Sequence, residues 1–345
     1  MALWNDIFEQ PGTLERVVSQ NWETAEQVAE TWRRAKIDQV VVAARGTSDN
    51  AARYAQYVWG ARNRLSVCLA APSLYSLYNS PPALGNAIVV GISQSGQSPD
   101  ITAVLIEARR QHRPTLAITN NASSPLAEHA DHVILLRAGS EEAVAATKTY
   151  TAELAAVLLL SAALNDEAGM EHELVALPSH VEYLLDQSDD IAEMARARSS
   201  LEHCAVLGRG FNYATAFEWA LKLQELAYVL AQPFSVADFL HGPLALVEPG
   251  LSILAVAPSG PPHDDYHALL EALVRGQRAD LVVISDVEAT LELAASFIRL
   301  PVNVPEWITP IPAIVGGQLF AYHLTVAKGL DPERPRGLSK VTRTW

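Results

Sequence analysis

Short apolar runs rich in β-branched residues recur along the chain, separated by longer stretches of helical period. Val40-Val41-Val42-Ala43-Ala44, Val89-Val90-Gly91-Ile92, 115–118, Ala205-Val206-Leu207-Gly208, Ile253-Leu254-Ala255-Val256 and 281–284 read as buried strands. Residues 50–62, 101–111, 144–164, 213–230 and 266–275 read as helices. Strands alternating with helices form β-α-β units, which predicts an α/β protein with mostly parallel sheets covered on both faces. Ligands of such sheets bind beyond the carboxyl ends of the strands, here the loops after Ala44, Ile92, Leu207 and Val256.

The pattern occurs twice. Arg45-Gly46 and Arg209-Gly210 lie 164 residues apart, and the same step carries Val89 to Ile253, Ser95-Gly96 to Ser259-Gly260 and Asp100 to Asp264. Residues 115–118 and 281–284 fit with a small shift. Matches at one offset imply two copies of one domain, each expected as a three-layer α/β/α sandwich. The expected organisation is a helical extension over 1–35, a first copy over 36–165, connecting helices over 166–200, a second copy over 201–330 and a polar tail over 331–345.

A length of 345 residues suits about two domains. A net charge of −14 without a Lys/Arg cluster excludes a broad nucleic-acid surface. A small anion is still allowed, because charges beyond about 8 Å are screened and local groups decide. Cys68 and Cys204 have no zinc spacing and cannot build a disulfide framework, so no metal is expected. Met1-Ala2-Leu3-Trp4-Asn5-Asp6 lacks the plan of a signal peptide. The most apolar stretch, 154–164, is far short of the roughly 20 residues that span a bilayer. A cytoplasmic protein without membrane or nucleic-acid partners is expected. Arg45-Gly46-Thr47-Ser48 and Arg209-Gly210-Phe211-Asn212 do not fit G-x-G-x-x-G, which argues against a dinucleotide, and no cofactor is expected.

The loop Ser93-Gln94-Ser95-Gly96-Gln97-Ser98-Pro99 gathers hydroxyls and amides between a strand and a helix. Gly96 permits a tight turn and Pro99 suits a first helical turn. Free N–H groups and serine hydroxyls there make an anion cradle, whereas serines serving only as caps would require one residue. The second copy has Ala257-Pro258-Ser259-Gly260-Pro261-Pro262 instead and has lost most donors. Thr47 or Ser48 would cap the helix that follows Gly46, with both hydroxyls at the same mouth. Glu218, Lys222 and Glu225 fall at i, i+4 and i+7 on a helix that is otherwise apolar nearly all round. Charges in such a helix are costly unless paired or functional. His241-Gly242-Pro243 marks a loop, Lys148 opens an apolar helix and Lys340 lies in the tail. By themselves His241 and Lys340 fit structural or solvated roles as well as catalytic ones.

Taken together, these segments resemble the sugar isomerase (SIS) domain family, and within it the isomerase half of glucosamine-6-phosphate synthase and stand-alone SIS-type glucosamine-6-phosphate deaminases. The matching segments are Ile7-Phe8-Glu9-Gln10-Pro11, Gly46-Thr47-Ser48, Ile92-Ser93-Gln94-Ser95-Gly96, Val144-Ala145-Ala146-Thr147-Lys148, Leu207-Gly208-Arg209-Gly210, Ala220-Leu221-Lys222-Leu223-Gln224-Glu225, His241-Gly242-Pro243-Leu244-Ala245-Leu246 and Arg336-Gly337-Leu338-Ser339-Lys340. The resemblance implies that Ser93, Gln94, Ser95 and Ser98 bind phosphate, and that Thr47, Ser48, Val144 and Ser339 contact the sugar. It implies Glu225 as the base moving a proton between C1 and C2, with Lys222 beside it. It also implies His241 as the ring opener supplied by the neighbouring subunit of a homodimer, Lys340 as a Schiff-base amine, and a tail folded over the active site. Arg45 stands where the synthase usually has Cys, and Ala146 where it has Ser.

No glutaminase segment precedes the first copy, so the expected activity is deamination of glucosamine 6-phosphate to fructose 6-phosphate and ammonia. An aminotransferase-type isomerase, a deglycase and a plain phosphosugar isomerase are the alternatives, and a non-catalytic sugar-phosphate sensor is a further one. The expected ligand is a small phosphorylated amino sugar or ketose.

Overall fold

All six apolar runs form strands, and each sheet adds two strands at its edges. The first sheet holds β1 (Gln39–Ala43), β2 (Ser66–Leu69), β3 (Ala87–Ile92), β4 (Thr115–Thr119) and β5 (His132–Leu135) in the order β2-β1-β3-β4-β5. The second holds β6 (His203–Gly208), β7 (Leu230–Ser235), β8 (Ser252–Val256), β9 (Asp280–Ser285) and β10 (Ser296–Arg299) in the order β10-β9-β8-β6-β7. Every pairing is parallel. Counted within its own copy, each sheet runs 2-1-3-4-5, so the duplication read from the sequence is a duplication of topology. The structure is a computed structural model describing residues 1–165 and 168–340. Asp166 and Glu167 of the expected connecting segment, and residues 341–345 of the expected tail, lie outside the described residues.

The central strands β3, β4 and β8 are buried at every position, as parallel strands covered on both faces must be. The edge strands β2, β5 and β10 are partly exposed and short. Pro233 sits in β7, an edge strand that can spare its N–H.

Helix boundaries differ from the expectation, in three places for a local reason that can be named. The helix expected over 50–62 spans Thr47–Asn63, with Gly46 as its N-cap residue at φ 56°; neither Thr47 nor Ser48 caps it. The helix expected over 144–164 begins only at Lys148, where the Glu141 carboxylate accepts the N–H of Thr149 at 3.1 Å. The helix expected over 213–230 stops at Ala227, because Tyr228 turns left-handed at φ 54° and the chain enters β7.

The chain forms two compact units built from separate segments. One contains Glu9–Glu142, Lys148–Pro178, Ser339 and Lys340, and carries the first sheet. Its aromatic core includes Trp32 edge-on to Trp59, whose indole N–H donates to the carbonyl of Val157. The other contains Met1–Phe8, Ala143–Thr147 and Ser179–Leu338, and carries the second sheet. There the helix Pro310–Ala327 packs on Trp219 through Gly317, where a Cβ would stand 3.0 Å from the indole. Among the described residues no helix is long and apolar enough to cross a membrane.

Candidate active site

In a sheet of this order the direction of winding reverses between the first and third strands, which opens a crevice at their carboxyl ends. The loops after β1 and β3 border it in the first copy, and those after β6 and β8 in the second. The loop after β3 is Ser93–Ser98, leading into the helix Pro99–Arg110. Gly96 takes φ 62°, and a Cβ there would lie 2.2 Å from the Ser124 hydroxyl, so only glycine fits. The hydroxyl oxygens of Ser93 and Ser95 accept the N–H groups of Gly96 (3.2 Å) and Gln97 (3.3 Å). Each hydroxyl therefore keeps its own proton to donate. Ser98 is the N-cap residue, yet its side chain makes no capping bond. The serines are not spent on holding the helix start.

Arg45, after β1, donates to the buried carboxylate of Asp100 at 2.9 Å and ties the two loops of this crevice together. The sequence marked both residues by their place in the repeat, and Arg45 also as a departure from the synthase, but did not pair them. Their recurrence as Arg209 and Asp264 was the available signal, although in the second copy Arg209 approaches Asp265, at 3.9 Å. Ser48 points inward and donates to Glu153 at 2.8 Å. Thr47 is half-buried in the first turn of its helix.

The unit of the first sheet also holds four charged groups, in two ion pairs, around the start of the helix Lys148–Asn165. Lys148 is buried and pairs with Glu9 at 2.6 Å, with a further bond to the Ser140 carbonyl. Glu141, fully buried, accepts from the N–H and hydroxyl of Thr149 and from the Lys340 ammonium at 2.8 Å. Glu141 went unremarked in the sequence. Ser339, next to Lys340, is exposed. Val144 belongs to the other unit, in a non-helical segment whose Ala143 N–H donates to Asp6.

In the unit of the second sheet, the helix Tyr213–Ala227 brings Glu218, Lys222 and Glu225 together. The Lys222 amine, wholly buried, lies 3.2 Å from Glu218 and 2.5 Å from Glu225. Burial opposes its charge, but the two carboxylates outweigh that effect and hold its pKa above the usual range. Lys222 is thus a fixed cation. Glu218 is wholly buried, whereas the Glu225 side chain is 22% exposed, so of the two carboxylates Glu225 is the one a ligand can reach. His241 ends the short helix Val236–Leu240 and is exposed.

The crevice of the second copy is built differently. Ser259 gives both its N–H and its hydroxyl to Asp286, at 2.7 and 2.6 Å. The loop between β10 and the helix Pro310–Ala327 supplies Glu306, whose carboxylate lies against Gly210 and Gly260. A Cβ would stand 2.9 Å from it at Gly210 and 2.7 Å from it at Gly260. Burial pushes the Glu306 carboxyl up to about 7. In the first copy the counterpart of Gly210 is Gly46, where a Cβ would meet open space. Among the described residues no group of three His, Cys, Asp or Glu side chains is arranged to hold a metal ion.

Comparison with known proteins agrees with this architecture. The model of the SIS domain matches residues 35–163 and 199–327. A glutamine–fructose-6-phosphate aminotransferase (isomerizing) of Pyrococcus horikoshii is 35% identical over 342 residues, covering 97% of this chain and 56% of its own. The chain thus spans about half the length of the curated relatives it matches. Among solved structures, the C-terminal domain of glucosamine-fructose-6-phosphate aminotransferase from Francisella tularensis superposes with a TM-score of 0.87 at 26% identity, covering 97% of this chain and 98% of that one. Tagatose-6-phosphate ketose/aldose isomerase from Escherichia coli reaches a TM-score of 0.84 at 19% identity, covering 96% and 94%, a likeness of fold alone.

Proposed function

This chain belongs to the SIS domain family, with two copies in tandem, and on that premise we propose that it isomerises a phosphorylated amino sugar, converting glucosamine 6-phosphate and water to fructose 6-phosphate and ammonia. The observation that carries the reading is the loop Ser93–Ser98, whose serines retain hydroxyl protons at a helix start and do not cap it. Donors of that kind suit a phosphate. Gln94 and Ser98 complete the cradle, and Thr47, Ser48, Val144 and Ser339 hold the sugar.

His241 assists ring opening, supplied by a second subunit of a homodimer, for which its exposure leaves it available. Glu225 then takes the proton from C2 of the open aldose and returns it at C1. The C2 amine becomes an imine, water adds to it, and ammonia leaves with the ketose. Lys222 holds the Glu225 carboxylate in place. In the ketose direction the Lys340 amine attacks C2, water leaves, and an imine links Lys340 to the sugar. The aminotransferase-type relatives support a second reading, the same steps run toward glucosamine 6-phosphate with ammonia delivered from elsewhere. The protein works in the cytoplasm on either reading.

Purified protein is given glucosamine 6-phosphate, with fructose 6-phosphate followed by a coupled dehydrogenase. Stoichiometric ammonia and fructose 6-phosphate are expected. Turnover of a fructose–lysine phosphate with none of glucosamine 6-phosphate would replace this reading by a deglycase.

A further inference from the structure

Glu141 sits with its side chain fully buried, ahead of the helix Lys148–Asn165. It accepts the N–H of Thr149 at 3.1 Å and the Thr149 hydroxyl at 2.8 Å. Those bonds fix the carboxylate against a helix N-terminus, where backbone dipoles favour negative charge. Its Oε2 atom, the one that takes the Thr149 hydroxyl, also takes the Lys340 ammonium at 2.8 Å. Lys340 keeps 28% of its side chain exposed. A long, flexible tail side chain is thereby pinned to a group that cannot itself move.

We infer that Glu141 is a positioning residue for the Lys340 amine: it holds Nζ at one place on the first unit and limits the reach of the tail lysine. The Schiff-base use of that amine rests on the proposed function above; the ion pair does not. A helix-capping role alone would predict a different response to substitution. Glutamine at 141 can keep its amide oxygen on the Thr149 N–H and donate its amide N–H to the Thr149 hydroxyl oxygen, but it offers no charge to Lys340. The amide therefore separates capping from positioning.

Lysine reactivity is read by timed modification with an amine-directed ester and mass spectrometry, without sugar, with exposed Lys36 as internal reference. In Glu141→Gln, Lys340 is expected to react about tenfold faster relative to Lys36, since a hydrogen bond to a charged group is lost. Glu141→Asp should restore most of the protection, and the melting temperature shows that both variants fold. Equal Lys340 reactivity in wild type and Glu141→Gln would overturn the ion-pair assignment, whatever the enzyme does.

Borohydride trapping with fructose 6-phosphate is the second arm. It is expected to be slowed in Glu141→Gln at saturating sugar, with sugar affinity held within about threefold, less than one hydrogen bond's worth. An unchanged trapping rate would overturn positioning. Absence of any adduct in the wild type would remove the Schiff-base reading of Lys340 and leave the labelling result to decide the ion pair.

Discussion

The helices that follow β1 and β6 occupy the same place in their two copies and have opposite characters. At the repeat offset, Glu218, Lys222 and Glu225 correspond to Tyr54, Val58 and Ala61. Tyr54 and Val58 are buried and help fill an apolar core, while their counterparts Glu218 and Lys222, equally buried, form an ion network. The loops after β3 and β8 show the reverse contrast. The first carries serines with protons to spare, and the second commits Ser259 to Asp286 and faces Glu306. On the function proposed above, the duplicated fold divides its chemistry, with the anion-binding loop in one copy and the acid–base helix in the other. Each copy then meets one demand, since hydrogen-bond donors close to a carboxylate stabilise its ionised form and weaken it as a base.

The largest effect is expected from Lys222→Met, which strands two carboxylates. Breaking a buried pair in this way costs about 3–5 kcal/mol, read as a loss in denaturant midpoint. The triple substitution Glu218→Gln/Lys222→Met/Glu225→Gln gives the second copy a neutral helix face like that of the first. It should recover most of the stability and none of the turnover; recovery of turnover would mean that the ionic helix is only structural.

Next is Gly96→Ala, which combines a left-handed residue with a clash against the buried Ser124. A cost of about 2–4 kcal/mol is expected from strain and overpacking together, along with loss of sugar-phosphate binding by calorimetry. Gly46→Ala meets no atom, but at φ 56° and ψ −129° it forces a side chain into a conformation that only glycine takes readily, at about 1–3 kcal/mol from backbone strain alone. Unchanged sugar-phosphate affinity in Gly96→Ala would contradict the role assigned to the Ser93 loop.

Glu306 gives a pH-dependent contrast between the copies. Its folded pKa, about 7, lies above the ordinary carboxylate value of 4.5. Between those values the folded state holds a proton that the unfolded state has released, so stability falls as pH rises from 4.5 to 7, and the full cost persists above that. Glu306→Gln should therefore match the wild type in melting temperature near pH 4.5 and exceed it at pH 8. Solvent screening of a half-buried group reduces the gain to about 1–2 kcal/mol. A gain that is constant across that range would contradict the burial of its charge.

The smallest effect is expected from Ser259→Ala, about 1 kcal/mol of stability with sugar-phosphate affinity unchanged. Ser93→Ala/Ser95→Ala should instead weaken that affinity by about ten- to a hundredfold, with little change in stability.

The sequence displayed the repeat because buried parallel strands and their glycine turns leave continuous apolar runs at fixed spacing. It concealed β2, β5, β7 and β10, whose short, half-exposed faces carry no such run. The serine-rich loop after β3 could be picked out because its serines exceed what a cap requires. The repeat marked Arg45 and Asp100 without pairing them, and nothing marked Glu141 or Glu306, since each matters through a partner distant in sequence. The exchange of Ala143–Thr147 and of Ser339 and Lys340 between units was hidden for the same reason.

The division of labour is tested most directly by wash-in of solvent deuterium at C1 of fructose 6-phosphate, followed by NMR beside a calorimetric titration of the same sugar. Glu225→Gln is expected to bind fructose 6-phosphate within about threefold of the wild type while exchange falls by about 10² to 10⁴. Exchange at the wild-type rate in Glu225→Gln would contradict the account.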